Sequence, residues 1–476
     1  MLDQTQRDQL GTRYRLHIKT LSPLHVGAGG SDLQRRTPDF LPVSGQLIVI
    51  DPNKLADVLG PHQIERLVAG VSLAELLKGL RDDQKAALAA YTLQDSGDDV
   101  KTIRPHIKLP GARPYLPGSS LKGALRTALA WAMLSDDVVR VTSRNLGPNR
   151  QKADNWLDRA LFGEEPNYDL LRALQVGDSE GAAWQGGLHL AQVAVYSLQA
   201  QKALAPKGPR YRFHLETIPE NVEFIAQARR DNYILEPDQA SQLRFDKVEY
   251  LLRLPHHVNR LAAKLIEQER DFYRRYGPLP LVDFYDQLEE QLNQLDQDRA
   301  CLAQVAWGTG WTSKTVGTVL DEALLKEIRT RYRLGRRNTV FPKTRRLVEH
   351  RSEPIMPLGW LQVTFEPLGE EIVPPVIVQA KPVKQPRERG RPRERTQKLE
   401  NIQVGQIVEG TVTRIVHFGA FVNIGLRSDG LIHISELSEG WVDKVEDVVQ
   451  VGEVVRVKII EVDVQRSRVG LSIKRV

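Results

Sequence analysis

Apolar positions change period along this chain, and the changes mark its elements. Across 13–21 (RYRLHIKTL), Tyr14, Leu16 and Ile18 alternate with Arg13, Arg15, His17 and Lys19, and similar strand-like runs recur at 46–51, 190–196, 211–217 and 359–366. Between these strands, spacing of three and four predicts helices over 53–92, 121–134, 247–276, 283–299 and 315–334. The stripe of one is Leu121, Leu125, Ala128 and Leu129; that of another is Val316, Leu320, Ala323, Leu324 and Ile328, closed by Gly335. Beyond residue 400 alternation returns without helices, at Ile407 to Val412, Ala420 to Ile424 and Val454 to Glu461. The pattern predicts an α+β body followed by a small all-β barrel.

A length of 476 residues calls for two or three domains rather than one. The single cysteine, Cys301, rules out a disulfide framework and a thiolate zinc site. No run of eighteen apolar residues occurs and the start, MLDQTQRDQL, has no apolar core, so a soluble cytoplasmic protein without membrane contact is expected. The net charge of +6 is local: Lys381 to Lys398 carries eight Lys/Arg against two Glu, whereas residues 399–476 carry nine basic and eleven acidic groups. With Val383 as its one aliphatic residue, 381–398 cannot bury a core and reads as a basic, flexible tether. The expected boundaries are therefore a body at 1–380, the tether at 381–398 and the barrel at 399–476.

Candidate chemistry lies in loops and basic runs. After the first strand comes SPLHVGAGGSD, whose Gly27, Gly29 and Gly30 permit close backbone approach. His25 is a possible acid/base and Asp32 a possible metal ligand, although a His beside a turn and an Asp after glycines more often serve the turn itself. In RPYLPGSSLKGALRT, Pro117 and Gly118 turn the chain and Ser119 or Ser120 caps a helix. Lys122 and Arg126 then fall one turn apart, a like-charge pair costing about 0.2–0.5 kcal/mol at the positive end of the helix dipole. An anion is expected to repay this, and free amides beside two cations suit a phosphate. In AWGTGWTSKT, Gly308 and Gly310 make a turn between Trp307 and Trp311, with Lys314 and Thr315 in the following helix; Ser313 stands where a nucleotide-binding P-loop needs Gly. Arg329 to Arg346 has eight Lys/Arg and no acid, with Tyr332 and Phe341 interleaved, a composition suited to an RNA groove. Its candidate contacts are Arg336, Arg337, Lys343, Arg345 and Arg346. In the last segment the FGAF turn carries Phe418 and Phe421, rings able to stack bases.

That last segment, VGQIVEGTVTRIVHFGAFVNIGLRSDGLIHISEL through VKIIEVDVQRSRVGLSIKRV, closely resembles the ribosomal-protein-S-one type of RNA-binding domain, an OB-fold. The resemblance implies RNA contacts at Phe418, Phe421, His433 and Arg468. LSPLHVGAGG, PYLPGSSLKGALRT, VGDS, GTGWTSKT and FPKTRRL before PLGW, in this order over residues 13–366, resemble the RAMP superfamily of CRISPR proteins. Within it they are most similar to the fifth Csm subunit of type III-A effector complexes, which lacks the appended tether and barrel. This resemblance implies two ferredoxin-like (RRM-like) subdomains. It also implies a non-catalytic cap that binds the 3′ part of the crRNA and aids its maturation. No cofactor or metal is implied. Expected partners are crRNA and target RNA, the backbone RAMP subunits and the small subunit of the complex, and host maturation nucleases. A different reading is a metal-dependent endoribonuclease using Asp32 or Asp39 with His25, since related RAMP proteins cut RNA.

Overall fold

The strand Gly11–Thr20 (β1) buries Thr12, Tyr14, Leu16, Ile18 and Thr20 and leaves Arg15 and His17 exposed, the alternation its sequence predicts. The computed structural model describes residues 11–29, 34–94, 99–200, 202–335, 340–369, 403–416, 419–426, 429–438, 445, 448–463 and 468–475. The chain divides into two compact units, Met1–Val373 and Pro374–Val476. The expected tether at 381–398 lies outside the described residues.

In the first unit, Phe40–Val43 (β2), Gln46–Ile50 (β3) and Ala89–Gln94 (β4) form a small antiparallel sheet. The stretch 53–92, expected as helix, breaks into short helices before β4. Pro52, Pro61, Gly70 and Gly79 punctuate it, and Asp51 and Ser72 cap two of its turns. Thr102–Arg104 (β5) follows, then the helix Gly118–Ser135 (α1), the helix Asn155–Phe162 (α2) and the strand Leu174–Val176 (β6). His189–Gln199 (β7), Arg212–Thr217 (β8) and Glu223–Asp231 (β9) precede the helices Leu254–Tyr276 (α3) and Pro280–Gln294 (α4). The unit ends with Ala300–Gln304 (β10), Glu322–Arg331 (α5), Thr344–His350 (β11), Glu353–Pro357 (β12) and Trp360–Pro367 (β13).

Two sheets result. The first has the order β10-β13-β1-β9-β6, all neighbours antiparallel. With α1 between β1 and β6 and α3 and α4 between β9 and the last strands, this is the ferredoxin-like βαββαβ arrangement with β10 added at one edge. Leu16, Ile18, Phe224 and Val363 of the sheet bury against Leu125 and Leu129 of α1 and Leu261 and Leu265 of α3. The second sheet is built from hairpins that leave the first: β12-β11-β7-β8-β5 and the short strand Gln34–Arg35, with Ala203–Pro206 paired to β7. The α+β class followed by a barrel is thus the observed architecture. In the second unit Ile407–Val416 (β14), Gly419–Asn423 (β15), Gly430–His433 (β16), Val454–Asp463 (β17) and Arg468–Ser472 (β18) close a five-stranded barrel around Val412, Ala420, Val422, Ile432, Val457, Ile459 and Leu471.

Several expected site residues turn out to hold the fold. The start of α1 is capped by neither Ser119 nor Ser120. Asp178 does it, its carboxylate accepting the Gly118 N–H at 2.8 Å, which accounts for the VGDS motif. A Cβ on Gly118 would lie 2.3 Å from the Val176 carbonyl oxygen, so only glycine fits there. Lys122 donates to the Leu174 carbonyl at 2.6 Å, and Arg126 is held by Asp158 and Asp169 at 2.7 and 2.8 Å and lies over the Phe162 ring. The anion expected at this pair is therefore supplied to Arg126 from within the chain, while Lys122 is satisfied by a backbone carbonyl. Arg345 also turns inward: it pairs with Glu269 of α3 at 2.5 Å and stacks on Phe272, tying the second sheet to the helical layer.

Removing the Arg126 side chain strands two carboxylates that are partly exposed. Arg126→Ala is expected to destabilise the first unit by about 1–2 kcal/mol. Urea unfolding followed by tryptophan fluorescence checks this, since six of the seven tryptophans fall within residues 1–373. An unchanged midpoint would return Arg126 to the candidate RNA contacts.

Candidate nucleic-acid interface

After β10 the chain turns sharply through Ala306, Gly308 and Gly310, all at positive φ (69°, 92° and 99°). A Cβ on Gly308 would sit 2.5 Å from Leu358 Cδ1, so the turn can press onto the strand connection only because glycine stands there. The turn lays Trp307 against the second sheet. Its backbone N–H donates to the His25 carbonyl at 3.0 Å, and its ring meets His25 and Phe213 edge-on at 5.8 and 6.0 Å.

Two guanidinium groups flank that ring, Arg104 at 5.6 Å and Arg346 at 5.2 Å from its centroid; Arg104 also covers Phe213 at 4.5 Å. Strand register brings them together. Arg104 is paired with Leu215, Phe213 with Val193 and Arg346 with Val195, so period two puts Arg104, Phe213 and Arg346 on one face. Loss of hydration and then the charge of Arg104 press the Arg346 guanidinium below its ordinary pKa, and loss of hydration and then Arg346 do the same to Lys314. Among the described residues, none of Arg104, Lys314 and Arg346 has a carboxylate within ion-pair distance. Two repelling guanidinium groups over an indole, with Lys314 near enough to Arg346 to feel its charge, form a site for an anion that also carries aromatic surface.

The motifs GTGWTSKT and FPKTRRL, far apart in sequence, thus meet at Lys314 and Arg346. Lys314 closes a single helical turn, Trp311–Lys314, and the long helix expected from 315 begins only at Glu322. Thr315 serves the turn, donating to the Trp311 carbonyl at 2.9 Å and accepting the Gly317 N–H at 3.2 Å. Lys343 is half-buried beside β11, its carbonyl accepting the Leu198 N–H. Arg336 and Arg337 lie outside the described residues. Arg104 and Phe213 were missed because they stand in short strands with no motif around them.

His25 is buried and donates through Nδ1 to the Glu216 carbonyl at 2.7 Å. Burial lowers its pKa, opposed by that hydrogen bond and aided by Arg104 and Lys108. His106 accepts the Val26 N–H at Nδ1 and donates from Nε2 to the Tyr115 carbonyl; burial pushes it down to about 3. Asp39 accepts the Arg35 N–H at 2.7 Å, closing a turn, and Asp32 lies outside the described residues. Among the described residues no three His, Cys, Asp or Glu side chains gather to hold a metal.

In the barrel, Phe421 and His433 share the outer face, since Phe421 pairs with Leu431 and Gly419 with His433 while Ala420, Val422 and Ile432 point inward. The Arg414 guanidinium lies 4.4 Å above the Phe421 ring, a contact the sequence did not suggest. Phe418 lies outside the described residues. Arg468 begins β18, and its side chain is likewise not described.

The sequence profile of the RAMP superfamily matches residues 17–274 and that of the S1 RNA binding domain residues 401–474. The chain belongs to the RAMP superfamily and carries an S1-type module behind it. Its fold is similar to that of a chain in the cryo-EM structure of a Csm–crRNA–target RNA ternary complex of a type III-A CRISPR-Cas system. The TM-score is 0.55 and the identity 24%, over 74% of this chain and 100% of that one. A crystal structure of T. onnurineus Csm5 aligns at TM-score 0.49 and 23% identity over 72% of this chain and 99% of that one. Curated relatives match the module: Protein YhgF of Escherichia coli (strain K12) is 47% identical over 76 residues, 16% of this chain and 10% of that protein. The 4-hydroxy-3-methylbut-2-enyl diphosphate reductase of Clostridium tetani (strain Massachusetts / E88) is 55% identical over 73 residues, 15% of this chain and 12% of that one. The chain thus spans about a tenth of the length of the curated relatives it matches.

Two outcomes follow from this geometry. Burial, then Arg260, lowers His257 to about 4, and His25 and His106 are also held neutral. Stability from these groups is complete above the unfolded value near 6.5. As pH falls below it, the unfolded chain takes up protons that the folded one refuses, so stability drops by up to about 1.4 kcal/mol per pH unit per histidine until the folded values are reached. Urea midpoints between pH 6.5 and 5.5 are expected to fall accordingly, and less steeply in His257→Gln. For the barrel, Phe421→Ala is expected to weaken single-stranded RNA binding about ten-fold without unfolding it, measured by fluorescence anisotropy and circular dichroism.

Proposed function

We propose that this chain is a non-catalytic crRNA-binding cap subunit of a type III-A Csm effector complex, holding the 3′ region of the crRNA and aiding its maturation, with a single-stranded-RNA-binding barrel as an added tail. The observation that carries the reading is the Arg104–Trp307–Arg346 stack with Lys314 close to Arg346: three cations without described acid partners, two of them over a half-buried indole, on a RAMP fold. Membership of the superfamily and the likeness of the fold to a chain from a Csm–crRNA–target RNA complex support the assembly it would join, with crRNA, target RNA and other Csm subunits as partners. Support for a non-catalytic role comes from the histidines. His25 and His106 are neutral, buried and committed to backbone groups, and the carboxylate nearest to them, Glu216, is already shared among Tyr91, His106 and Lys108.

The test uses the full-length chain carrying Phe421→Ala, which weakens the barrel's contribution. Adding Lys314→Ala and Arg346→Ala is expected to reduce the salt dependence of single-stranded RNA binding by about 1.4 in log–log slope, roughly 0.7 per lost phosphate contact, and to weaken retention of crRNA in the reconstituted complex. An unchanged slope in a folded variant would overturn the site. Cleavage of RNA by the purified chain with Mg²⁺ or Mn²⁺ would overturn the non-catalytic role.

A further inference from the structure

Beside Lys314, and away from the sheet, the first unit holds a cavity of about 410 Å³ between α1, α2, the loop at 141–154 and α5. Its size is that of a small-ligand pocket rather than a packing defect. The walls are apolar and aromatic, with Phe162, Trp311 and Tyr332 among them. Trp311 is braced by Phe341 at 4.8 Å, and a Cβ on Gly317 would fall inside the indole, so the ring is fixed in the wall by a glycine that lets it lie flat against the backbone.

Polar groups on this wall are few, and most are spent. Arg126 and Asp158 neutralise each other. At the mouth Lys314 and Arg150 have no described ion pair, against the exposed carboxylate of Asp154. In the lining, the half-buried Asn145 uses its side-chain oxygen on the Thr142 N–H at 2.9 Å and hydroxyl at 2.6 Å, which fixes the amide and leaves its NH₂ without a partner among the described residues. The cavity thus offers aromatic walls, one oriented donor pair and an ammonium at its entrance. An apolar protein side chain would fill the walls but leave the ammonium and the amide unanswered. A nucleotide answers all three: a flat base for the walls, a carbonyl on the base edge for Asn145, and a phosphate for Lys314.

We propose that this cavity is a nucleobase pocket, which takes one base out of the RNA strand whose backbone runs over Lys314 and Arg346. The pocket rests on the RNA-binding reading above and adds to it a site of base recognition, selective for bases with an acceptor facing Asn145. Phosphate contact and base insertion meet at Lys314, which lines the cavity and is electrostatically coupled to Arg346.

Single-stranded RNA carrying 5-iodouridine, photo-crosslinked to the full-length chain and mapped by mass spectrometry, is expected to mark peptides containing Trp311, Tyr332 or Asn145. Thr127 lines the cavity from α1 and bonds only within its own helix, so Thr127→Trp fills the space and removes no other contact. It is expected to abolish those crosslinks and weaken RNA binding about ten-fold with the salt slope unchanged, because no phosphate contact is lost. Should Thr127→Trp lower the urea midpoint, Thr127→Leu carries the same comparison with less bulk. Crosslinks confined to barrel peptides, with affinity unchanged in the filled variant, would overturn the pocket. If Lys314→Ala still lowered the salt slope, RNA binding by the body would stand without it; if that slope too were unchanged, the reading beneath would fall. A filled variant that binds RNA normally but fails to join the other subunits would give the cavity to a protein side chain and equally overturn the proposal.

Discussion

A carboxylate with no exposed surface has to be answered on every side, and Glu216 is answered by three donors from two separate stretches of the chain. It accepts the Tyr91 hydroxyl from β4 at 2.5 Å, the His106 N–H at 2.8 Å and the Lys108 ammonium. Burial and then that carboxylate keep the Tyr91 hydroxyl protonated. The Glu216 carbonyl holds His25 at the root of the glycine loop, and the His25 carbonyl in turn holds Trp307. The backbone of Glu216 in β8 is thus linked through His25 to the main-chain N–H of Trp307, the residue whose ring lies at the candidate interface. Loss of the carboxylate would leave the largely buried Lys108 without an opposite charge and would free the Tyr91 hydroxyl of the small sheet and the His106 N–H, while the backbone link to His25 would remain.

Sequence reasoning about charge was sound on need and blind to source. Lys122 and Arg126 at helical spacing do require acceptors; Arg126 finds anions in Asp158 and Asp169, 32 and 43 residues further along, and Lys122 a backbone carbonyl at Leu174. Nothing in the local pattern distinguishes such carboxylates from a phosphate, because the distinction depends on how α2 and the turn after it fold back on α1. The Arg-rich run shows the opposite case. Its last two arginines sit in a strand, so period two forces Arg345 inward to Glu269 and Arg346 outward to Trp307. That division was open to view once 344–350 was read as a strand, but TRRLVEH carries too few apolar residues to declare itself one.

Elements with a strong period were legible, including β1, α1, α3 and the barrel strands, while those interrupted by Pro and Gly were not. The stretch 53–92 has helical spacing in each piece and breakers between them, and the breakers win because each removes a backbone hydrogen bond or favours a turn. In the barrel, the strand expected over Ala420 to Ile424 forms with Phe421 on the outer face, as expected of a ring able to stack bases, and Ala420 and Val422 inside. Arg414 over Phe421 could not be read in the same way: a bulge between Val412 and Arg414 shifts the register of β14, so residue counting assigns the wrong neighbour.

On the proposed reading the two units would grip RNA by different physics. The body gathers cations with no described counter-charge, so its grip comes mainly from counterion release and weakens steeply as salt rises. The barrel segment is net acidic, nine basic against eleven acidic groups, and offers an aromatic ring under a guanidinium, so stacking must supply more of its grip and salt should matter less. A strand held by both would therefore slip from the body first as ionic strength increases while remaining on the barrel. An acidic module is a poor competitor for phosphate and a workable one for bases, which lets it sit on the same chain as a cationic site without drawing the backbone away from it.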